Sequence, residues 1–198
     1  MEVKNSIYGN HCPEMKAVMR SLVDCIHTAA GSIRAETGTN PVEHLKCRIK
    51  AEDSMREKCR RNNLPETTES ALNVLTDSIG IRIVCAFLSD VYRVAEYLKS
   101  FPDLTVVTEK DYIRNVKPNG YRSYHMILRT ERGYFVEIQL RTISMDTWAA
   151  LEHHLKYKKS VGGNVELVKA ELKRCANELA ATDVSMQAIR ELIFEQKE

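Results

Sequence analysis

Apolar and polar residues alternate without a break over residues 136–141. Three apolar residues take every second position, and the positions between them hold Glu137, Gln139 and Arg141. Successive side chains of a β-strand point to opposite faces of a sheet. The pattern therefore predicts a strand with one face in a core and a chemically diverse polar face. That polar face forms either an exposed sheet surface or the floor of a cleft.

Similar periodicities divide the rest of the chain into alternating strands and helices. Strands are predicted over residues 44–50, 81–88, 104–110, 121–130 and 134–142, the last two joined as a hairpin by a tight turn. Helices are predicted over residues 13–37, 51–62, 69–76, 89–100 and 145–159, the last capped by Ser144, and from 164 to the end. The class is α/β or α+β: a mixed sheet of about five strands flanked by helices. We expect an N-terminal helical region (1–41), a central domain (42–160) and a C-terminal helical extension (161–198).

The composition excludes several classes of protein. Apolar residues make up 43% of the 198 residues and the net charge is +2, so we expect a soluble globular chain with no extended nucleic-acid surface. The six cysteines have no CxxC spacing and the first residues lack the apolar run of a signal peptide, which indicates reduced thiols in the cytoplasm. No run approaches the roughly 20 apolar residues of a membrane span.

Cationic side chains cluster on two consecutive elements. Arg48 and Lys50 share one face of the predicted strand 44–50, and Ser54 and Lys58 share one face of the next helix. Three cations and a hydroxyl brought together in this way suit a polyphosphate. A solvated charged face would have the same pattern, and these residues alone favour that simpler interpretation.

Two further groups of residues could carry chemistry. Asp77 directly precedes the apolar strand that contains Arg82, and a carboxylate at this place is a good Mg²⁺ ligand or an ordinary turn residue. Tyr121, Ser123 and His125 share a face of their predicted strand, beside the polar face of strand 134–142. Two adjacent strands with such faces favour a cleft over a bland surface.

We interpret the pair His153-His154 as structural or phosphate-contacting, because zinc sites need more ligands.

The order of these motifs resembles a known family. Arg-x-Lys-x-x-x-Ser-x-x-x-Lys, Asp-x-x-Gly-x-Arg, Lys-Pro-Asn-Gly-Tyr-Arg-Ser-x-His and Val-Glu-Ile-Gln-x-Arg-Thr follow one another as in the synthetase domain of RelA/SpoT alarmone enzymes. The later helix Met-x-x-Trp-Ala-x-x-Glu-His resembles the small, single-domain members. The match covers about residues 42–160. It implies a nucleotidyltransferase-like fold and transfer of pyrophosphate from ATP to the 3′-hydroxyl of GDP or GTP, as a stringent-response signal.

The resemblance also implies roles for individual residues. The adenine of ATP would lie between Arg48 and Arg82, and its phosphates would be held by Lys50, Ser54 and Lys58. Mg²⁺ would be bound by Asp77 and Glu137, with Glu137 also the candidate base for the 3′-hydroxyl. The acceptor would be bound by Lys117, Asn119, Tyr121 (stacked on guanine), His125, Gln139 and Lys110, with Arg141 in support.

The resemblance leaves some properties open. Residues 108–111 read Thr-Glu-Lys-Asp, of which only the second half matches the charged signature of long members, and Asp146 stands where some small members have asparagine near the guanine. The chain has no His-Asp dipeptide typical of the family's hydrolase domain, so we expect synthesis without hydrolysis. The alternatives are an enzyme of the same fold acting on a tRNA 3′ end or an adenine nucleotide, and a non-catalytic nucleotide- or RNA-binding regulator. Small members are often tetramers, and we expect the terminal helices to build a homo-oligomer here.

Overall fold

A five-stranded mixed sheet forms the centre of the protein. The computed structural model describes residues 6–157 and 165–194. The strands are β1 (Val42–Ile49), β2 (Ile79–Cys85), β3 (Leu104–Asp111), β4 (Tyr124–Thr130) and β5 (Phe135–Thr142). Their order is β1-β2-β5-β4-β3, with β2 and β5 parallel and the other three neighbouring pairs antiparallel. This confirms the predicted class, and β4 and β5 form the predicted antiparallel hairpin.

The first three helices and the sheet share one core. The helices are α1 (Cys12–Thr37), α2 (Glu52–Arg61), α3 (Leu88–Ser100), α4 (Ile143–Tyr157) and α5 (Val165–Phe194), with a π-helical turn at Ser70–Val74. The apolar stripe of α1 is buried in the same cluster as α3 and the apolar faces of β2 and β5. The polar faces of these two strands are thereby left on the opposite side of the sheet, where the candidate site lies.

Three sequence-based boundaries are wrong. The strand predicted over 81–88 ends at Cys85, and Leu88 already begins α3. The strand predicted over 121–130 begins only at Tyr124, so residues 121–123 belong to the preceding loop. Ser144 does not cap α4, because the helix begins at Ile143 and Ser144 lies in its first turn. The hydroxyl of Thr142 instead accepts a hydrogen bond from the backbone N–H of Met145 at 3.2 Å.

The predicted break at 162–163 lies outside the described residues. The proposed boundaries at 41 and 161 stay predictions. Within residues 6–157 and 165–194, every helix is too short or too polar to cross a lipid bilayer.

Candidate active site

Two rows of side chains cross the polar face of the sheet. The strand register aligns one row from β1 to β3, made of Lys46, Arg82, Gln139, His125 and Lys110. The next row consists of Arg48, Gly80, Glu137, Ile127 and Thr108. Because side chains alternate between faces, the residues between these rows on the three central strands, Ile81, Ile138 and Met126, are buried in the core. The first row brings together residues that lie up to 93 positions apart in the chain, namely Lys46 and Gln139.

The polar residues of β5 interact with one another, as expected for side chains on one face. Gln139 donates a hydrogen bond from Nε2 to Oε2 of Glu137 at 2.9 Å. Arg141 donates from Nη2 to Oε1 of Gln139 at 3.1 Å. This continuous chain of contacts orients Glu137, and it matches the predicted polar face.

A cavity of about 200 Å³ opens over β1 and β2. Arg48 and Arg82 line it together with Glu137. Gly80 lies between these side chains, and a Cβ there would come within 3.8 Å of Arg48. Burial and the charge of Arg141 lower the pKa of Arg82. We call this space the donor cavity; its full lining is Lys46, Cys47, Arg48, Gly80, Ile81, Arg82, Glu137 and Gln139.

Asp77, at the end of the loop before β2, forms ion pairs with two lysines. Lys50 forms an ion pair with Oδ2 of Asp77, and Nζ of Lys58 lies 2.5 Å from the same oxygen. Burial alone would raise the pKa of Asp77, but the two lysines outweigh it and hold that pKa below its usual range. Lys50 and Lys58 therefore converge as predicted. Ser54 does not join them: it is exposed on α2, and, among the described residues, it does not line the donor cavity or the neighbouring cavity that Asp77 lines.

A second cavity, of about 360 Å³, lies on the other side of Glu137. Asp77 and Glu137 both line it, so the two carboxylates face one space although they lie on different elements. Glu137 also lines the donor cavity and stands between the two. We call this second space the acceptor cavity; its lining is Lys58, Thr76, Asp77, Thr108, Lys110, Tyr112, Lys117, His125, Met126, Ile127 and Glu137.

Aromatic rings and cations meet at the rim of the acceptor cavity. Nζ of Lys117 lies 4.3 Å from the ring centre of Tyr112 and 5.1 Å from that of Tyr121. The hydroxyl of Tyr121 accepts a hydrogen bond from Nη2 of Arg141 at 2.9 Å and lies 2.8 Å from Nε2 of His125. Tyr121 is therefore fixed by its hydroxyl group, although it lies in a loop.

His125 is neutral at pH 7. Burial, followed by the charges of Arg141 and Lys117, lowers its pKa to about 4. Its Nδ1 lies 3.8 Å from Oε1 of Glu137, and this approach is not an ion pair because the ring carries no charge. Since Arg141 already donates to the hydroxyl of Tyr121, that hydroxyl can donate its own hydrogen to Nε2, which leaves the ring hydrogen on Nδ1, on the side of Glu137.

Two predicted neighbours of Tyr121 lie elsewhere. Ser123 is buried and donates a hydrogen bond to the carbonyl of Leu140 at 3.1 Å, so it does not share the polar face as predicted. The reason is that residues 121–123 precede β4, where strand alternation does not apply. Asn119 is exposed; its Oδ1 accepts a hydrogen bond from the backbone N–H of Tyr121 at 3.2 Å. This bond shapes the loop.

Asp146, which the resemblance placed near the guanine, also contacts both Arg82 and Arg141, a role that the sequence motifs did not indicate. Its Oδ1 accepts hydrogen bonds from Nη1 of Arg82 and Nη1 of Arg141, both at 3.0 Å. Burial alone would raise its pKa, but the two arginines and Lys46 hold it below its usual range. Tyr112 was also missed, because a lone tyrosine after a strand carries no recognisable signal.

The two carboxylates fit a Mg²⁺ ion. Oδ1 of Asp77 is buried and accepts no hydrogen bond from any described residue, although Oδ2 holds two lysines. An oxygen without a hydrogen-bond partner, on a carboxylate that lines the same cavity as Glu137, is a suitable ligand, because Mg²⁺ takes one or two carboxylates together with substrate phosphates. Across the described ranges no group of three or more His, Cys, Asp and Glu side chains is arranged to hold a metal. His153 and His154 are exposed.

Sequence comparison finds a family and individual proteins that this chain resembles. The family described as the region found in RelA and SpoT proteins matches residues 47–162. The GTP pyrophosphokinase YwaC of Bacillus subtilis is 42% identical over 160 residues, which cover 77% of this chain and 76% of that protein.

Solved structures match nearly the whole chain. Small alarmone synthetase 1 of Bacillus subtilis, bound to its product pppGpp, has a TM-score of 0.77 at 34% identity, covering 92% of this chain and 95% of that one. The same enzyme bound to AMPCPP has a TM-score of 0.72 at 32% identity, covering 93% and 96%. The two cavities therefore lie in a fold that is known in complex with nucleotides.

Proposed function

The chain belongs to the RelA/SpoT family, and we propose that it is a GTP diphosphokinase that transfers the pyrophosphoryl group of ATP to the 3′-hydroxyl of GDP or GTP. The products are ppGpp or pppGpp and AMP. One observation carries the proposal: Glu137 stands between a cavity with two arginines and a cavity with lysines and aromatic rings. A group in that place can act on an acceptor hydroxyl beside a bound donor.

The donor side has the charges that ATP needs. Arg48 and Arg82 line the donor cavity, where planar guanidinium groups can stack on the two faces of adenine. Lys50 and Lys58 pair with Asp77 at the acceptor cavity, which Glu137 shares with the donor cavity, and their positive charges can offset the oxygens of a triphosphate that extends there. Ser54 stays a weaker candidate for a phosphate contact because it is exposed on α2.

The acceptor side suits a guanine nucleotide. Tyr121 offers a ring whose orientation is fixed by Arg141 and His125. Lys117 and Lys110 line the same cavity and can bind the 5′-phosphates of the acceptor. His125, being neutral, can donate one N–H bond without adding charge. We assign Gln139 to orienting Glu137, and Asn119 to shaping the loop and contacting the edge of the base.

The reaction requires positioning and one proton transfer. Glu137 accepts the proton of the 3′-hydroxyl while the 3′-oxygen forms a bond to the β-phosphorus of ATP. The bond from that phosphorus to the oxygen it shares with the α-phosphate breaks, and AMP leaves. Lys50 and Lys58 bind the phosphate oxygens where negative charge accumulates. Mg²⁺ held by Asp77 and Glu137 would offset further charge on the phosphates.

Product identification tests this proposal. The protein is incubated with labelled ATP and Mg²⁺, and with GDP, GTP, ADP or tRNA in parallel. We expect a guanosine product labelled at the 3′ position together with AMP. A product from ADP or tRNA alone would instead indicate one of the alternative acceptors. No product with any acceptor would favour a binding protein.

Variants of the two carboxylates test the mechanism. Asp77→Asn and Glu137→Gln keep shape and remove charge, so each should nearly abolish turnover while the protein stays folded. The double variant should be little worse than either single variant, because residues that act as one unit are strongly non-additive. Glu57→Gln is the matched control, since Glu57 is an exposed carboxylate on α2. Full activity in folded Glu137→Gln would overturn the assignment of the base.

We also propose that the protein works in the cytoplasm as a homotetramer. All six cysteines are free thiols. Apolar side chains are exposed along α4 and α5, namely Leu151, Leu155, Val165, Leu167, Val168, Val184, Met186, Ile189, Leu192, Ile193 and Phe194. Burying such a surface favours association. Light scattering should give four times the mass of the chain, and a monomer at micromolar concentration would rule out this assembly.

A further inference from the structure

The loop that carries the acceptor-binding residues is attached to the C-terminal helix by one arginine. Arg122 donates from Nη1 to the carbonyl of Gly120 at 3.0 Å and to the carbonyl of Ala176 at 3.2 Å. Its Nη2 donates to Oδ1 of Asn177 at 3.0 Å. The guanidinium group therefore bridges the loop and α5 with three hydrogen bonds, all to neutral acceptors.

The loop behind this bridge is one compact turn. The backbone N–H of Gly120 donates to the carbonyl of Lys117 at 2.8 Å, and the N–H of Lys117 donates to the carbonyl of Tyr121 at 3.3 Å. Lys117, Asn119 and Tyr121 thus belong to one hydrogen-bonded turn. Holding the carbonyl of Gly120 holds the whole turn.

The backbone approaches α5 closely at Gly120. A Cβ added there would lie 2.7 Å from the Cβ of Ala176, and the residue has φ of +92°. Glycine meets both requirements, since it tolerates positive φ and has no side chain. The turn therefore packs directly against the helix surface, and the contact is not an incidental one between long side chains.

The helix itself is fixed to the rest of the protein. Nε1 of Trp148 donates to the carbonyl of Leu172 at 2.8 Å. The hydroxyl of Thr142, at the end of β5, donates to Oδ2 of the buried Asp183 at 2.6 Å. Because these bonds flank Ala176 and Asn177 along α5, the surface that receives Arg122 is held in place.

We propose that Arg122 is a positioning residue for the acceptor nucleotide, and this inference rests on the proposed function. Arg122 anchors residues 117–122 to α5 and so keeps Tyr121 and Lys117 in place before the acceptor binds. It touches neither cavity, so it acts through the loop. Without the anchor the loop samples other conformations. Apparent affinity falls with the populated fraction of the competent state, so a loop docked about one tenth of the time binds its ligand about tenfold more weakly.

Binding measurements on the full chain separate positioning from simple stabilisation. Titration calorimetry with GDP and, separately, with AMPCPP measures the dissociation constant at each cavity without turnover. Arg122→Ala should raise the dissociation constant of GDP about tenfold and leave that of AMPCPP within about twofold. A merely structural arginine would weaken both ligands equally or lower the melting temperature alone, and either result would overturn the inference.

Asn177→Ala provides a milder test, because Asn177 is exposed and its loss should not prevent folding. It should weaken GDP binding by less than Arg122→Ala does, and the double variant should be no worse than Arg122→Ala. Arg174→Ala is the matched control on the same helix, since Arg174 pairs with Glu171 and Glu178 of α5 itself. Unchanged GDP binding in both Arg122→Ala and Asn177→Ala would refute the role of Arg122. A wild-type chain that binds GDP but forms no product would refute the proposed function alone.

Discussion

Neutral His125 should make the stability of the protein depend on pH. In the folded chain its pKa is lowered from 6.5 to about 4 by burial and by the neighbouring cations, Arg141 first. Between these two values the unfolded chain binds a proton that the folded chain does not bind. The contribution of His125 to the free energy of unfolding is therefore fully present above pH 6.5 and is lost as the pH decreases towards 4.

The expected effect is large for one side chain. At 1.36 kcal/mol for each pH unit, the difference between the two pKa values corresponds to about 3 kcal/mol. The side chain of His125 is 17% exposed, so solvent reduces this value little. His125→Gln removes the titrating group and should remove this part of the pH dependence.

Urea unfolding at several pH values between 7 and 4.5 measures the effect. The free energy of unfolding of the wild type should fall faster with decreasing pH than that of His125→Gln. The carboxylates and the other five histidines contribute to both proteins and cancel in the difference. Exposed His27→Gln is the matched control and should show no comparable divergence. Parallel curves for the wild type and His125→Gln would refute a lowered pKa.

Tyr121→Ala should weaken GDP binding about tenfold to hundredfold and spare AMPCPP, because stacking on a base contributes about 1–3 kcal/mol; calorimetry that finds the loss on the AMPCPP side would reverse the pocket assignment. Gly120→Ala should raise the KM for the acceptor, since its Cβ would lie 2.7 Å from that of Ala176; steady-state kinetics with an unchanged KM would contradict this. Arg190→Ala should lower the free energy of unfolding by about 3–5 kcal/mol, because it leaves the fully buried Asp90 without its 2.7 Å ion pair. Urea unfolding that gives nearly the same free energy for the variant and the wild type would contradict this prediction.

Local patterns were sufficient to predict the elements of the fold. Alternation identified the strands over 44–50 and 134–142, a β-branched run identified the strand over 81–88, and helical spacing identified the long helices, because these signals depend on neighbouring residues. Boundaries failed where two local signals competed. Ser144 and Thr142 are both suitable N-cap residues, and the strand that leads into Thr142 decides between them. The β-branched run that ends near Leu88 is interrupted because the chain must turn into α3.

The sequence predicted separate groups of site residues, and only the folded structure shows which of these groups contact one another. The sequence indicated Lys50 after β1, Lys58 on α2 and, separately, Asp77. It did not indicate that Lys50 and Lys58 would both pair with that carboxylate. Ser54 shows the reverse case: its spacing from Lys58 is correct for one helix face, but the side chain remains exposed.

The contacts that Asp146 and Arg122 make between distant parts of the chain could not have been identified from local sequence. Asp146 has its role because α4 begins where Arg82 and Arg141 come together, 64 and 5 positions away. Arg122 reaches Asn177 across 55 positions. Contacts of this range depend on how α4 and α5 sit against the sheet, and no spacing rule reports that arrangement.

The charge of the cleft explains how a chain of small net charge can bind two polyphosphates. The linings of the two cavities contain six cations and two carboxylates, and His125 adds no charge; the charged residues are Lys46, Arg48, Lys58, Arg82, Lys110, Lys117, Asp77 and Glu137. The cleft thus carries a net charge of +4, whereas the whole chain carries +2, so the remaining residues are acidic on balance. A concentrated positive field attracts anionic ligands to one place and leaves the remaining surface without a general affinity for nucleic acid. Net charge alone therefore understates the attraction that this site offers to nucleotides.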